Sequence, residues 1–239
     1  MRGVEFESGP TGNKLNTAIG MYSKEESEYV LFPQKVNGGK FACEGAVESW
    51  LSSFEEMMRK VLKAILEEGR QTAELWDIQG EKPREIWIDD YPAQLAIVGT
   101  QIVWTEEVTR TIEEVFVGSE SAMKDYAKVC VDRINKLIDR VMQPGISSDL
   151  RCKIISLITI DVHSRDVVEK FAVTKVSDVA DFAWQSQLKF EWKGIASETD
   201  PNKDCHISIC DWKDYYSYEY VGNCGRLVIT PLTDRCYIT

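Results

Sequence analysis

The sequence predicts a mainly α fold: a stack of long antiparallel helices, with a short β/loop element near the N-terminus and a small β-hairpin region near the C-terminus. Three observations carry this. From about residue 44 to 192, apolar side chains recur at three- and four-residue spacing, the period of a helix with one buried face. The helical stretches are separated by short breaks such as Gly118-Ser119 and Pro144-Gly145, which favour antiparallel neighbours. Beyond residue 200 the period becomes two, as in His206-Ile207-Ser208-Ile209.

The first 40 residues are rich in glycine and polar groups. They read as a small hairpin or loop platform, with a strand at Glu28–Phe32 stopped by Pro33 and a turn over Val36–Lys40. The first helix spans about 44–70, roughly 40 Å at 1.5 Å per residue. Its apolar stripe is Val47, Trp50, Leu51, Phe54, Met57, Met58, Val61, Leu62, Ile65 and Leu66, with Glu56 and Lys60 placed as an i,i+4 pair opposite. Residues 77–86 form a polar connector. A second helix begins near Tyr91-Pro92, with Asp89 or Asp90 as its cap, and carries Leu95, Val98, Ile102, Val108, Ile112 and Phe116. The third, about 120–142, follows a candidate cap at Ser119 and shows Met123, Ala127, Cys130, Ile134, Leu137, Ile138 and Val141. The fourth, about 148–173, starts from Ser147 or Ser148 and continues through Leu150, Ile154, Leu157, Ile158, Val162, Val168 and Phe171. A shorter helix over about 177–192 carries Phe182, Trp184, Leu188 and Trp192. Strands follow at Cys205–Cys210 and Tyr215–Val221, with Asp211–Asp214 between them, and a last apolar run, Arg226–Ile229, is stopped by Pro231. The expected organisation is a β/loop platform at 1–42, a helical bundle at 43–195 and a β region at 196–239.

Composition narrows the function. The 239 residues are 44% hydrophobic and 28% charged, enough for a packed core and unlike a disordered chain. The net charge of −11 is spread through the middle of the chain and offers no basic face to phosphates, so nucleic acid is not expected as a partner. No apolar run has the length of a membrane span, and the N-terminus lacks the apolar core of a secretory signal. Seven cysteines without a CxxC pair read as reduced thiols. Only Cys205, His206 and Cys210 cluster, and alternation sends Cys205 and His206 to opposite faces, so no metal is expected.

Catalytic constellations are missing. His163 lies mid-helix in Asp161-Val162-His163-Ser164-Arg165-Asp166, where adjacent side chains diverge; a packing role and an Asp161–Arg165 ion pair are the simpler readings. Gly9–Lys14 has no Gly-Lys step. Gly38-Gly39-Lys40 has one, but Phe41 replaces the magnesium-binding hydroxyl and Gln34 the first glycine. The carboxylate pairs Glu55/Glu56, Asp89/Asp90, Glu106/Glu107 and Glu113/Glu114 read as solvated faces or caps.

Four blocks in the second half carry a resemblance: Ile160–Val168 (IDVHSRDVV), Phe182–Leu188 (FAWQSQL), Tyr218–Asn223 (YEYVGN) and Arg226–Tyr237 (RLVITPLTDRCY). In this order they resemble the dynein heavy chain family, with wording closer to axonemal (ciliary) than to cytoplasmic members. Gly20–Ser23 (GMYS), Val47–Leu51 (VESWL) and Tyr91–Gln94 (YPAQ) agree more loosely, so the likeness runs from about residue 20 to the end. Val221, where the family commonly has leucine, and Cys224 are departures.

The resemblance implies a piece of a microtubule-based motor ATPase. It is the C-terminal part of the linker, a mechanical lever in the helical region, running at 196–239 into the first AAA+ module and ending before the phosphate loop. It implies ATP and magnesium for the full-length motor and no cofactor for this chain alone. Implied partners are the AAA+ ring of the same heavy chain, and microtubules with intermediate and light chains through the whole protein. The implied location is the cytoplasm, the cytoskeleton and the axoneme of a cilium or flagellum. Val228, Ile229, Pro231 and Leu232 match the stretch that lies beside the adenine ring; adenine-side contacts and simple packing in the module's core both remain open for them. Without a phosphate loop the chain alone is expected not to hydrolyse ATP. The alternative reading is a stand-alone helical protein-interaction adaptor, and a third is an enzyme whose site no motif reveals.

Overall fold

The computed structural model describes residues 3–10, 13–23, 28–76, 78, 81–196, 202–223 and 228–238, without side chains at 231, 234, 237 and 238. The fold is mainly helical with two small antiparallel sheets, as the sequence predicts. The chain divides into two compact units, Met1–Gly99 with Ser217–Cys224, and Thr100–Tyr216 with Gly225–Thr239.

In the first unit, β2 (Lys14–Tyr22) pairs antiparallel with β1 (Gly3–Ser8), β3 (Tyr29–Leu31) and β4 (Phe41–Ala42). Helix α1 (Val47–Ala73) buries Phe54, Met57, Met58, Val61, Leu62 and Leu66 at the expected spacing. Phe54 receives the rings of Phe32 and Phe41 at centroid distances of 5.9 and 5.3 Å. The stripe does not begin where the pattern puts it. Val47 and Leu51 are exposed, Ala46 offers no side-chain cap, and within the first two turns it is Trp50 that reaches the core, its ring edge-on to Phe54 at 6.4 Å.

The polar connector contains one helical turn, α2 (Arg84–Trp87), which sends Trp87 inward. Trp87 meets Trp76 edge-on and Tyr91 at a tilt, with ring centroids 4.9 and 4.8 Å apart. Its Nε1–H donates to Thr72 Oγ1 at 2.9 Å, and the same hydroxyl meets the Tyr91 hydroxyl at 2.8 Å. Thus one α1 threonine satisfies two buried aromatic polar groups, which would otherwise carry a desolvation cost. Helix α3 (Ala93–Phe116) starts after Pro92, but neither expected aspartate holds its first free N–H. Asp90 is engaged with Lys82 at 2.5 Å, and the Ala93 N–H donates instead to Glu28 Oε1 at 2.7 Å. A carboxylate at a helix N-terminus satisfies an orphan donor and complements the helix dipole.

The division between units falls inside α3. The second unit contains the rest of α3, then α4 (Ala122–Met142), α5 (Ser148–Thr174), the single turn α6 (Phe182–Gln185), a sheet of β5 (Lys189–Gly194), β6 (Lys203–Ile209) and β7 (Trp212–Tyr215), and α7 (Pro231–Ile238). Ser147 caps α5 by accepting the Leu150 N–H at 3.2 Å, and Lys175 closes it in the left-handed conformation, φ 56°. Trp104, Val108, Ile112, Met123, Cys130, Val168, Phe171 and Trp184 form the core, with Trp184 edge-on to Trp104 at 5.6 Å and to Phe171 at 6.1 Å. Phe116, expected on the buried stripe, is exposed at the end of α3.

Three local expectations fail. The helix over 177–192 is a single turn capped by Asp181, followed by strand β5, because Phe190 and Trp192 also alternate and residues 189–194 pair in register with 203–208. The hairpin turn is the tight pair Cys210-Asp211, with Cys210 at φ 49°, so the second strand is Trp212–Tyr215 and residues 216–223 form no strand. Pro231 opens a helix rather than stopping a strand. Thr230 N–H donates to Thr233 Oγ1 at 2.7 Å and Thr233 N–H donates back to Thr230 Oγ1 at 3.4 Å, a reciprocal cap with proline at the first helical position. Arg226 and Leu227 of the expected apolar run lie outside the described residues.

Glu107 overturns another expectation. It is no solvated carboxylate: its side chain and that of Arg133 are each only 15% exposed. They form two parallel bonds of 2.6 and 2.8 Å, and Tyr126 donates to the same carboxylate at 2.9 Å. Burial pushes the Glu107 carboxyl up, but the Arg133 hydrogen bonds and charge outweigh it and hold the group below its ordinary range. Burial raises Cys130 beside it to about 11. The expected Asp161–Arg165 pair is replaced by an Arg165 hydrogen bond to Asp166 and a looser ion pair with Glu169 at 3.9 Å, while Asp161 is buried.

Candidate functional site

The chemistry-bearing candidates resolve into structural roles. Lys40, after the glycine pair, is held by Glu7 at 2.5 Å, and Lys14 lies 3.7 Å from Glu5. Thr11 and Gly12 of the other glycine-rich stretch lie outside the described residues. His163 is half-buried on α5. Among the described residues no group of three or more His, Cys, Asp or Glu side chains converges as a metal site would.

What does converge lies in the first unit, around residues 217–223. The Gln94 side chain, on the first turn of α3, is 3% exposed and spans the backbone of this segment. Its Nε2 donates to the Glu219 carbonyl at 2.8 Å, and its Oε1 accepts the N–H groups of Val221 at 2.9 Å and Gly222 at 3.2 Å. Tyr220 is fully buried, and its hydroxyl lies 3.3 Å from both the carbonyl and the carboxylate of Glu28. Gly222 has φ 73°, and a Cβ there would stand 2.7 Å from Ser23 Cβ, so both conformation and space require glycine. Ser23 and Asn223 are buried alongside.

The residues expected beside a nucleotide base sit in the second unit. Val228 is 65% exposed, Leu232 is 72% exposed, Ile229 is half-buried, and Pro231 is the first residue of α7 with no side chain described. The apolar pair Val228 and Leu232 thus flanks the N-terminal turn of α7 with surface uncovered.

A sequence family described as the hydrolytic ATP binding site of dynein motor region matches residues 216–239, which takes in the whole 217–223 segment and all of α7. Over all 239 residues the chain is 44% identical to dynein axonemal heavy chain 9 of Homo sapiens and 42% identical to the ciliary dynein beta chain of Tripneustes gratilla. Over 236 residues it is 38% identical to the flagellar outer arm dynein beta chain of Chlamydomonas reinhardtii. The chain belongs to the axonemal dynein heavy chain family. It spans 5% of the length of each of these relatives.

In this dynein heavy chain sequence, blocks far apart along the chain come together. Ser23 from GMYS, Gln94 from YPAQ, and Glu219, Val221 and Gly222 from YEYVGN form one contact, more than 120 residues of chain separating the second from the third. The adaptor reading gains nothing from these matches, which are all to motor heavy chains. Sequence reasoning gave Gln94 no role. The available clue was a polar residue inside the apolar run Ala93–Val98, where a buried amide demands partners. In the sequence Glu28 stands at the start of a strand, and nothing local marks it as the cap of a helix 65 residues on.

Proposed function

We propose that this chain is the ring-proximal part of a dynein linker, a mechanical lever that runs into the first AAA+ module and couples ATP-driven changes in the ring to displacement of the tail. The single observation that supports it best is the docking of residues 219–222, in the stretch matched by the ATP-site family, onto the start of α3. On this reading residues 1–42 are a β/loop platform, 43–195 the lever and 196–239 the start of the module. The whole heavy chain works on microtubules in the axoneme, with the AAA+ ring and the intermediate and light chains as its partners.

ATP and magnesium belong to the full-length motor. On this reading the exposed Val228 and Leu232 offer one apolar face to an adenine ring, with Ile229 and Pro231 in the same stretch of chain. Their role would be to exclude water from that face and to orient the base at the start of α7. The described side chains of this stretch supply neither a phosphate cradle nor a carboxylate for magnesium, so no chemical step is assigned to them.

The test is a full-length heavy chain carrying one fluorophore on the exposed face of α4, at Asp132, and another on the ring. A lever shows an ATP-dependent change in energy transfer between them. Transfer that stays constant through nucleotide binding, hydrolysis and release rejects the lever. The 239-residue chain by itself is expected to release no phosphate from ATP.

A further inference from the structure

Residues 216–222 have no regular secondary structure, yet one side chain holds three of their backbone groups. We propose that Gln94, Glu28 and Tyr220 form a latch that straps residues 219–222 to the N-terminal turn of α3, so that a pull on the chain beyond the strap reaches α3 through these bonds. The latch stands on the geometry alone; its transmission of force rests on the lever reading.

Three features make this a latch rather than incidental packing. The Gln94 amide makes three bonds to strap backbone, two as acceptor and one as donor. Reversing the amide would set its NH2 against two N–H donors, so its orientation is fixed by the strap. The neighbouring residue on the same helical turn, Ala93, is bound by the Glu28 carboxylate, and that carboxylate also meets the Tyr220 hydroxyl. Strap and helix terminus therefore share one acid. Finally, Gly222 lets the strap pass Ser23 at a distance no side chain permits. Bonds to backbone hold the strap whatever its side chains do, and they are either made or broken, which suits a two-state joint.

Amide hydrogen exchange on the 239-residue chain reads the latch at Val221 and Gly222. Gln94→Ala is expected to raise exchange there by about 10- to 100-fold while the amides of β5 and β6 stay unchanged. Gln94→Glu keeps an acceptor but loses the donor to the Glu219 carbonyl. Measured against wild type at the same pH, which cancels any change at the Glu28 carboxylate, its protection should recover as pH falls and the new carboxyl gains a proton to donate, a response that loss of packing would not give. Gly222→Ala attacks the strap from its other side and should deprotect the same amides with Gln94 intact. Protection at Val221 and Gly222 that stays within about twofold of wild type in Gln94→Ala overturns the latch. If that variant loses protection throughout β5 and β6 as well, Gly222→Ala decides: selective deprotection supports the latch, and unchanged strap amides overturn it. In the full-length heavy chain, Gln94→Ala should keep ATP turnover and slow microtubule gliding at least threefold. Undiminished gliding with deprotected strap amides removes the transmission and leaves the latch standing.

Discussion

Replacing Arg133 with methionine isolates the energetics of the second unit's buried ion pair. The change removes bonds of 2.6 and 2.8 Å to Glu107 and leaves that carboxylate with the Tyr126 hydroxyl at 2.9 Å. Breaking one partner of a buried pair costs about 3–5 kcal/mol. Here each side chain keeps 15% of its exposure and the Arg110 charge also favours the carboxylate, which puts the expected loss at the lower end, about 3 kcal/mol. For a chain of this size that lowers the midpoint of thermal unfolding by about 6–12 °C. The double variant Glu107→Leu with Arg133→Met, which removes both charges, should recover most of the loss, because apolar replacement of a buried pair is close to neutral. Urea unfolding followed by tryptophan fluorescence, on wild type, Arg133→Met, Glu107→Leu and the double variant, measures all four corners of the cycle. The pH dependence has a definite sign. The Glu107 carboxyl is held below its ordinary range, so the pair's contribution is complete above the free carboxyl value of about 4.3 and is lost as pH falls through the lower folded value. Wild type and Glu107→Gln should therefore differ by a constant amount at neutral pH and converge in acid. If Arg133→Met unfolds within about 0.5 kcal/mol of wild type, and the double variant matches it, the pair holds nothing and the reasoning fails.

Two further outcomes can be checked on the same material. Burial raises Cys130 to about 11 and Cys205 to about 12, so at pH 8 about one Cys130 thiol in a thousand is ionised. Native-state alkylation should modify the exposed Cys152 and Cys236 at least 100-fold faster than either, as mass spectrometry of the labelled chain would show. Thr72→Val removes the acceptor for Trp87 Nε1–H and the partner of the Tyr91 hydroxyl, and should cost about 1–3 kcal/mol in thermal or urea unfolding, with Thr72→Ser restoring most of it.

The long helices were readable because each carries its own period. Phe54 to Leu66 in α1 and Cys130 to Leu137 in α4 bury the residues their spacing selects. The short elements were not, because two periods fit them equally. Trp184, Leu188 and Trp192 are four apart, yet Phe190 and Trp192 are two apart, and only pairing with Lys203–Ile209 settles the choice. The N-terminal sheet depends on contacts between β1, β2, β3 and β4 that no single strand announces. The candidate site was half legible. The blocks that place the chain among dynein heavy chains were visible as words, but the bonds joining them run from Gln94 to Glu219 and from Glu28 to Tyr220, across 125 and 192 residues. Glu107 was misread for a related reason: an acid beside another acid looks like surface until Arg133 on the next helix is brought against it.

The start of α1 has a consequence of its own. Its first two turns carry no side-chain cap and no buried residue before Phe54, so they stand as an overhang held by local backbone bonds and one tryptophan edge. Isolated turns of this length are marginal in water. The overhang is therefore expected to melt and re-form while the aromatic cluster behind it stays intact. A protease that needs an extended substrate would enter α1 at these turns and leave the rest of the helix whole.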